Sequence, residues 1–357
     1  MGEALFTQSV EHGKILEYSL SSQLILVFLA AIIICVGSIT LALPYAARIA
    51  LALPNARSSH KVPTPQSGGL FVLGTMLVSA FGIMMWDIST ASKLGPLLLA
   101  ASTLGFIGWL DDRRSLPVWF RLPVYAAICV AYAFSQDISL GLFSMAWLDA
   151  LITAMFVLVL INITNFMDGI DGMLVAEFVP MFCTIAILAA FGTMGVMPGF
   201  VAASLAGALL GFFVFNRPKA KIFLGDSGSL VVGFISAALL LHVGSQHGKI
   251  LALTLPLYFL CDAGITLLRR LLRGERIWLA HREHYYQRAL DSGQSNWSII
   301  GRVALCNIAL SGLCFVAIRF GDLGLPFVFV ASVAAVALLV FTLSRPNRRS
   351  AALQDAL

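Results

Sequence analysis

Four polar residues recur at three-residue intervals, Asn162, Asn165, Asp168 and Asp171, in the run NITNFMDGIDG. An apolar segment, 150–161, precedes them, and another, 173–192, follows with Glu177 as its one charge. Carboxylates placed where a hydrophobic span meets its loop cost free energy unless something cationic binds them. Neighbours in this row share a helix face, but a helix drifts by about 60° per three residues. All four converge only if the helix tightens or breaks, and Gly169 and Gly172 permit either. The stretch reads as a polar helix end with Asx-type caps, or as part of a site for a divalent cation, a phosphorylated ligand, or both.

Four further segments carry chemistry-bearing residues. In RSSHKVPTPQSGG, prolines and paired glycines define a rigid turn that backbone or phosphate can approach closely, with Lys61 as the cation. In GWLDDRRSL, the adjacent Asp111 and Asp112 cannot share a helix face, so they serve different partners. One of them could ligate a metal while the other acts as a base or pairs with Arg113 or Arg114. In IFLGDSGSL, glycines flank Asp226–Ser227 and expose that carboxylate at the mouth of a span, with Phe223 three residues earlier. In HREHYYQR, His281 and His284 can share a face and offer hydrogen-bonding and cationic capacity toward phosphate. Each also has a plainer reading, as an ordinary loop, a surface ion-pair cluster, a packed phenylalanine or a solvated helix end.

The elements that must position these residues follow from composition. Of 357 residues 59% are hydrophobic and 11% charged, with mean hydropathy +0.91, against about 25% charged in soluble domains. This is the pattern of an all-α polytopic membrane protein. About eleven apolar runs stand out, near 24–46, 68–86, 94–110, 122–134, 148–161, 173–191, 196–215, 230–243, 250–268, 299–318 and 323–343. The start of the chain carries Glu3, Glu11 and Glu17 and no basic stretch ahead of an apolar core, so no cleavable signal peptide is expected. The six cysteines lie in apolar runs without ligand spacing and read as small buried hydrophobes.

An odd number of crossings puts the termini on opposite sides. All 23 Lys and Arg but Lys14, Lys93, Lys249 and Arg319 fall on the face that holds the C-terminus. The positive-inside rule then places the N-terminus outside and the C-terminus in the cytoplasm. Asp111, Asp112, Asp168, Asp171 and Asp226 map to that same inner edge, where topology asks for no acids. Carboxylates among basic loops suit a cation-assisted phosphate site. Glu177 and Asp262 lie within spans, Asp262 with a structural role or one supporting other residues. One integral-membrane unit, 1–357, is expected, with inner loops at about 47–67, 111–121, 162–172, 216–229 and 269–297.

Taken together, HKVPTPQSGG, DDRRSL, NFMDGIDG, FLGDSGSL and HREHYYQR, in this order, resemble the polyprenyl-phosphate N-acetylhexosamine-1-phosphate transferases of glycosyltransferase family 4. The resemblance implies an enzyme of the bacterial cytoplasmic membrane that moves a sugar 1-phosphate from a UDP-N-acetyl sugar to undecaprenyl phosphate and releases UMP. It implies dependence on Mg²⁺, or Mn²⁺ in its place, and a role in starting a lipid-linked surface polysaccharide such as lipopolysaccharide O-antigen, or in cell-wall biogenesis. Bilayer lipid and the two substrates are the expected partners. A homodimer is allowed for, and no nucleic acid is expected. Carried over by position, Asp226 and Asp112 would be metal ligands, and Asp111 or Asp112 would activate or position the lipid phosphate. Asn165, Asp168 and Asp171 would hold nucleotide or sugar, Phe223 would stack on uracil, and Lys61, His281 and His284 would neutralise the diphosphate. Gln66 departs from the Arg found in many N-acetylglucosamine-type relatives, and the late loop lacks the three adjacent histidines of the muramoyl branch. The rival reading is a secondary transporter or channel with an acidic cytoplasmic gate.

Overall fold

Backbone in lipid must bond internally, so apolar runs of this length can only be helices. The computed structural model describes residues 2–46, 48, 51–52, 63–86, 89–136, 138–276, 281–321 and 324–345. The chain runs through α1 (Gly2–Ala46), a two-stranded antiparallel pair β1 (Leu51–Ala52) and β2 (Thr64–Pro65), then α2 (Gly68–Trp86), α3 (Ser89–Arg114) and α4 (Val118–Ser135). There follow α5 (Ala146–Met167), α6 (Met173–Ala190), α7 (Val196–Asn216), α8 (Asp226–His247), α9 (Lys249–Thr254) and α10 (Leu257–Leu272). The short α11 (Tyr285–Asp291) precedes α12 (Asn296–Phe320) and α13 (Leu325–Ser344). Among the described residues, 10 helices are long and apolar enough to cross a membrane.

The expected span at 250–268 is the exception, and Pro256 is the reason. It lacks the N–H that would continue the helix, so α9 stops at Thr254 and α10 begins at Leu257. Gly248, before α9, lies on the edge away from the acidic loops, and Arg270 of α10 reaches Glu283 in the late loop at 2.5 Å. The α9–α10 pair is thus a broken helix and is not among the 10 spans. The amides freed at such a break need internal partners. Glu177 of α6 supplies one, accepting from the Phe259 amide at 3.4 Å while Asn307 of α12 donates to its other oxygen at 2.6 Å. A carboxylate inside a span is thus a helix cap tying three helices together.

α8 is the most enclosed span, and α1, α4, α12 and α13 turn large apolar side chains such as Ile33, Phe134, Leu305 and Phe341 outward. α7 lies against α1 through small residues. A Cβ at Gly207 would collide with the Phe28 carbonyl, and one at Gly211 would come within 2.8 Å of the Ile32 carbonyl. Close backbone approach through small residues is how helices associate without a hydrophobic driving force. All six cysteines are free.

Candidate active site

The site forms where the first turn of α8 is wedged between α2 and α3. Gly69 and Gly108 make the wedge possible: a Cβ at Gly69 would strike the Gly228 backbone, and one at Gly108 would lie 2.5 Å from the Asp226 carbonyl. The segment before α8 is stitched to the start of α2, with Phe223 N–H donating to the Pro65 carbonyl (2.8 Å), Gly68 N–H to the Phe223 carbonyl (2.9 Å) and Gly69 N–H to the Leu224 carbonyl (2.8 Å). Gly225 turns into the helix at φ +75°, with no room for a side chain against the Asp112 carboxylate.

That carboxylate caps α8 from outside the helix. Asp112 Oδ1 accepts from the Asp226 amide (2.8 Å) and from Gln66 Nε2 (2.7 Å), and Oδ2 accepts from the Ser227 amide (3.1 Å). Negative charge is favoured at a helix N-terminus, where amides are otherwise unpaired. The Ser227 side chain also bonds this carboxylate, so Asp112 is held from several directions at once. Asp111, one residue back, points elsewhere, as adjacent helical positions must. It is enclosed, accepts from the Leu116 amide at 2.6 Å and pairs with Arg121. The expected partners Arg113 and Arg114 are not the ones used; Arg113 lies over the Trp109 ring, 5.1 Å from its centroid. Arg121, on the first turn of α4, also reaches Asp226 Oδ2 at 3.3 Å. It is the site residue that the motif pattern missed, because it lies past Pro117, on the next helix.

Asn165 donates to Asp226 Oδ1 (2.8 Å) and to Ser229 Oγ (3.0 Å), joining α5 to the same carboxylate. The row of four polar residues does not converge. Asn162 bonds back to its own helix at the Leu158 carbonyl (2.8 Å), and Asp171 accepts from the Lys219 (3.0 Å) and Ala220 (3.2 Å) amides on the other flank. Asp168 caps the end of α5 and is half-buried. Burial, with the charges of Asp112 and Asp171 adding, pushes its carboxyl up to about 7. Asn216, also unforeseen, accepts from the Gly172 amide (2.8 Å) and donates to the Ile222 carbonyl (2.9 Å), so the end of α7 pins two site loops together.

Phe223 and Asp171 line a cleft of about 900 Å³ with Thr64, Lys219, Lys221 and Trp297. Across the α5 turn sits the late loop. Asp262 of α10, fully buried, gathers it by accepting from the Tyr285 (2.9 Å) and Tyr286 (3.4 Å) amides and from the Tyr258 hydroxyl (3.0 Å), with His284 Nδ1 at 3.2 Å. The Tyr286 hydroxyl donates to the Phe166 carbonyl at 3.1 Å, in space that a side chain at Gly169 would fill. His281 and His284 lie together, with ring centroids 4.9 Å apart, though His281 precedes α11 in a non-helical segment. Burial, followed by the neighbouring His284 and Arg270, holds His281 down at about 4, so near pH 7 it offers hydrogen bonding rather than charge. Lys61 lies outside the described residues.

Among the described residues, no three His, Cys, Asp or Glu side chains form a ready-made metal cage. Mg²⁺ needs none, since it is held by one or two carboxylates together with waters and substrate phosphates. Asp226 and Asp112 are hard oxygen donors of that kind, and the charge of Asp112 acts on Asp226, which favours a cation beside them.

The model of Glycosyl transferase family 4 matches residues 94–244, from α3 through α8. The probable undecaprenyl-phosphate N-acetylglucosaminyl 1-phosphate transferase of Bacillus subtilis is 25% identical over 302 residues, 80% of this chain and 82% of the relative. The phospho-N-acetylmuramoyl-pentapeptide-transferase of Lactobacillus gasseri is 29% identical over 48% of this chain and 60% of the relative. That of Lacticaseibacillus paracasei is 27% identical over 67% of this chain and 79% of the relative.

Proposed function

We propose that this chain, whose residues 94–244 match the model of Glycosyl transferase family 4, transfers an N-acetylhexosamine 1-phosphate from a UDP-sugar to undecaprenyl phosphate. An oxygen of the lipid phosphate attacks the sugar-bearing phosphorus of the UDP-sugar. The bond from that phosphorus to the oxygen it shares with the nucleotide phosphorus breaks, and UMP leaves with the electron pair. The lipid phosphate is already an anion near pH 7 and needs no deprotonation beyond that, so the demand is for alignment and charge neutralisation. Asp111 or Asp112 would then position the nucleophile rather than act as a strong base.

The observation that carries this reading is that Asp226 is held from three helices at once, by Arg121 and Asn165 at its carboxylate and by Asp112 at its amide. Asp226 and Asp112 would hold Mg²⁺, with Mn²⁺ as an alternative of the same hard character, and the bound ion would neutralise diphosphate charge. Asn165 orients Asp226, Gln66 orients Asp112, and Arg121 offsets charge without a metal. Phe223 and Asp171 would form the nucleotide end of the cleft, with Asp168 between it and the carboxylates. His284, fixed by Asp262, and His281 would hydrogen-bond the sugar or diphosphate, and Lys61 would add charge. A bacterial surface polysaccharide or wall polymer is the product to which such a lipid-linked sugar leads. A transporter would place open ion ligands at its mid-membrane helix break. Here both oxygens of Glu177 at that break accept from the protein itself, from the Phe259 amide and Asn307 Nδ2.

The test is UMP release by the purified protein from a panel of UDP-N-acetyl sugars with undecaprenyl phosphate and Mg²⁺. Asp226→Asn should lower turnover at least about 10²-fold. Near-normal rates at saturating Mg²⁺ would reject the assignment of Asp226, and no lipid-dependent UMP from the wild type would reject the reaction.

A further inference from the structure

Tyr125 has no role in the account above, yet the charges of the same acids act on its hydroxyl. It stands four residues after Arg121 on α4, so the two side chains occupy one helix face. That face is turned to α8 along its length. Arg121 meets Asp226, Cys129 is fully buried, and the Tyr132 ring stands edge-on to Phe234 of α8 at 4.8 Å. Tyr125 falls between those two points, about 6 Å deeper along α4 than Arg121. It is 4% exposed, and its hydroxyl has no hydrogen-bond partner among the described residues. The charges of Asp226, Arg121, Asp111 and Asp112 all act on that hydroxyl.

A buried hydroxyl without a partner is destabilising, and a phenylalanine would fill the same space without the penalty. A donor kept there calls for an acceptor that arrives. Carboxylates and Arg121 occupy the loop side, and the cleft with Phe223 and Asp171 opens on another flank. Tyr125 lies one turn of α4 further into the span than Arg121, the direction from which the anionic head of a membrane lipid would reach the carboxylates.

We propose that the Tyr125 hydroxyl donates a hydrogen bond to the phosphate of the polyprenyl acceptor and so helps to position the nucleophile. This rests on the transferase reading for the identity of the lipid, but the measurement needs no turnover. Binding of undecaprenyl phosphate, of neutral undecaprenol and of UDP is measured on detergent-solubilised full-length wild type and Tyr125→Phe. The variant should bind undecaprenyl phosphate about tenfold more weakly, as loss of a hydrogen bond to a charged group implies. Undecaprenol and UDP should bind both proteins alike, and the variant without ligand should unfold at the same temperature or higher.

Equal affinity of the two proteins for undecaprenyl phosphate overturns the proposal. So does an equal loss for undecaprenol, which would make Tyr125 a packing residue for the chain, or a loss for UDP instead, which would move the donor to the other substrate. A lower unfolding temperature in the variant without ligand would show that the hydroxyl already has a structural partner, and overturns it too. A wild type that binds undecaprenyl phosphate yet releases no UMP would sink the transferase reading alone. One that does not bind it sinks both.

Discussion

Arg121 stands between two acids of unequal exposure. The Asp111 side chain is 4% exposed and that of Asp226 26%. Removing the guanidinium leaves a charge in an enclosed place, which costs about 3 kcal/mol, whereas removing both charges costs much less. Arg121→Gln should therefore lower stability by about that amount, and Arg121→Gln with Asp111→Asn should recover most of it. Unfolding of the two variants in detergent checks this; a double variant no more stable than the single one would mean that Asp111 is not what Arg121 neutralises. Asp168 behaves in the opposite sense. Its carboxyl lies at about 7 in the folded chain, above the value of about 3.9 in an unfolded one. The folded state therefore holds a proton that the unfolded state has lost, and that contribution to stability disappears as pH rises from about 4 through 7. Asp168→Asn should gain in unfolding temperature over the wild type as pH is raised from 5 to 8 without divalent cation. A constant difference across that range would contradict the shift.

At the scale of elements, the site depends on helix starts set closer than side chains allow. Gly69→Ala would press a methyl group into the Gly228 backbone. Such overpacking costs about 1–3 kcal/mol, and because the atoms that must yield carry Asp226, turnover should fall further than stability does. Equal losses in the two measurements would count against a positioning role. The glycines, Asp112, Asp226 and Asn165 were legible in the sequence, since flanking glycines and acids at span ends are local patterns. Their partners were not. Asp112 spends its oxygens on amides more than a hundred residues away, and Asp171, alike in spacing to Asp168, turns to Lys219 and Ala220. Three-residue spacing states which residues share a face, not where a helix ends, and α5 ends at Met167. Asp262 was seen as a supporting residue, but nothing local announced that one carboxylate would gather the loop from His284 to Tyr286.

For the molecule as a whole, the crossings were readable because lipid leaves the backbone no alternative to helix. The break at Pro256 was not drawn from the sequence, where 250–268 reads as one apolar run, and its cap, Glu177, lies 82 residues away from Phe259. Ser21 bonds to the Ala190 carbonyl on the edge opposite the site, and Gln294 holds the Arg345 carbonyl near the late loop. The first span thus begins on one edge and the last helix ends on the other. With the basic residues crowded on the site edge, that edge should face the cytoplasm. UDP-sugar added outside sealed vesicles should then release UMP from inverted vesicles and not from right-side-out ones, and the reverse result would invert the orientation.

The wedge at the head of α8 has one more effect. Gly69 and Gly108 leave its first turn nowhere to retreat, so Asp112 and Asp226 cannot drift apart to ease their mutual repulsion. The scaffold keeps them under a repulsion that Arg121 offsets and that a proton or an incoming positive ion would relieve further. Loading such a centre should ask for little backbone rearrangement, because the architecture has already fixed where the positive charge belongs.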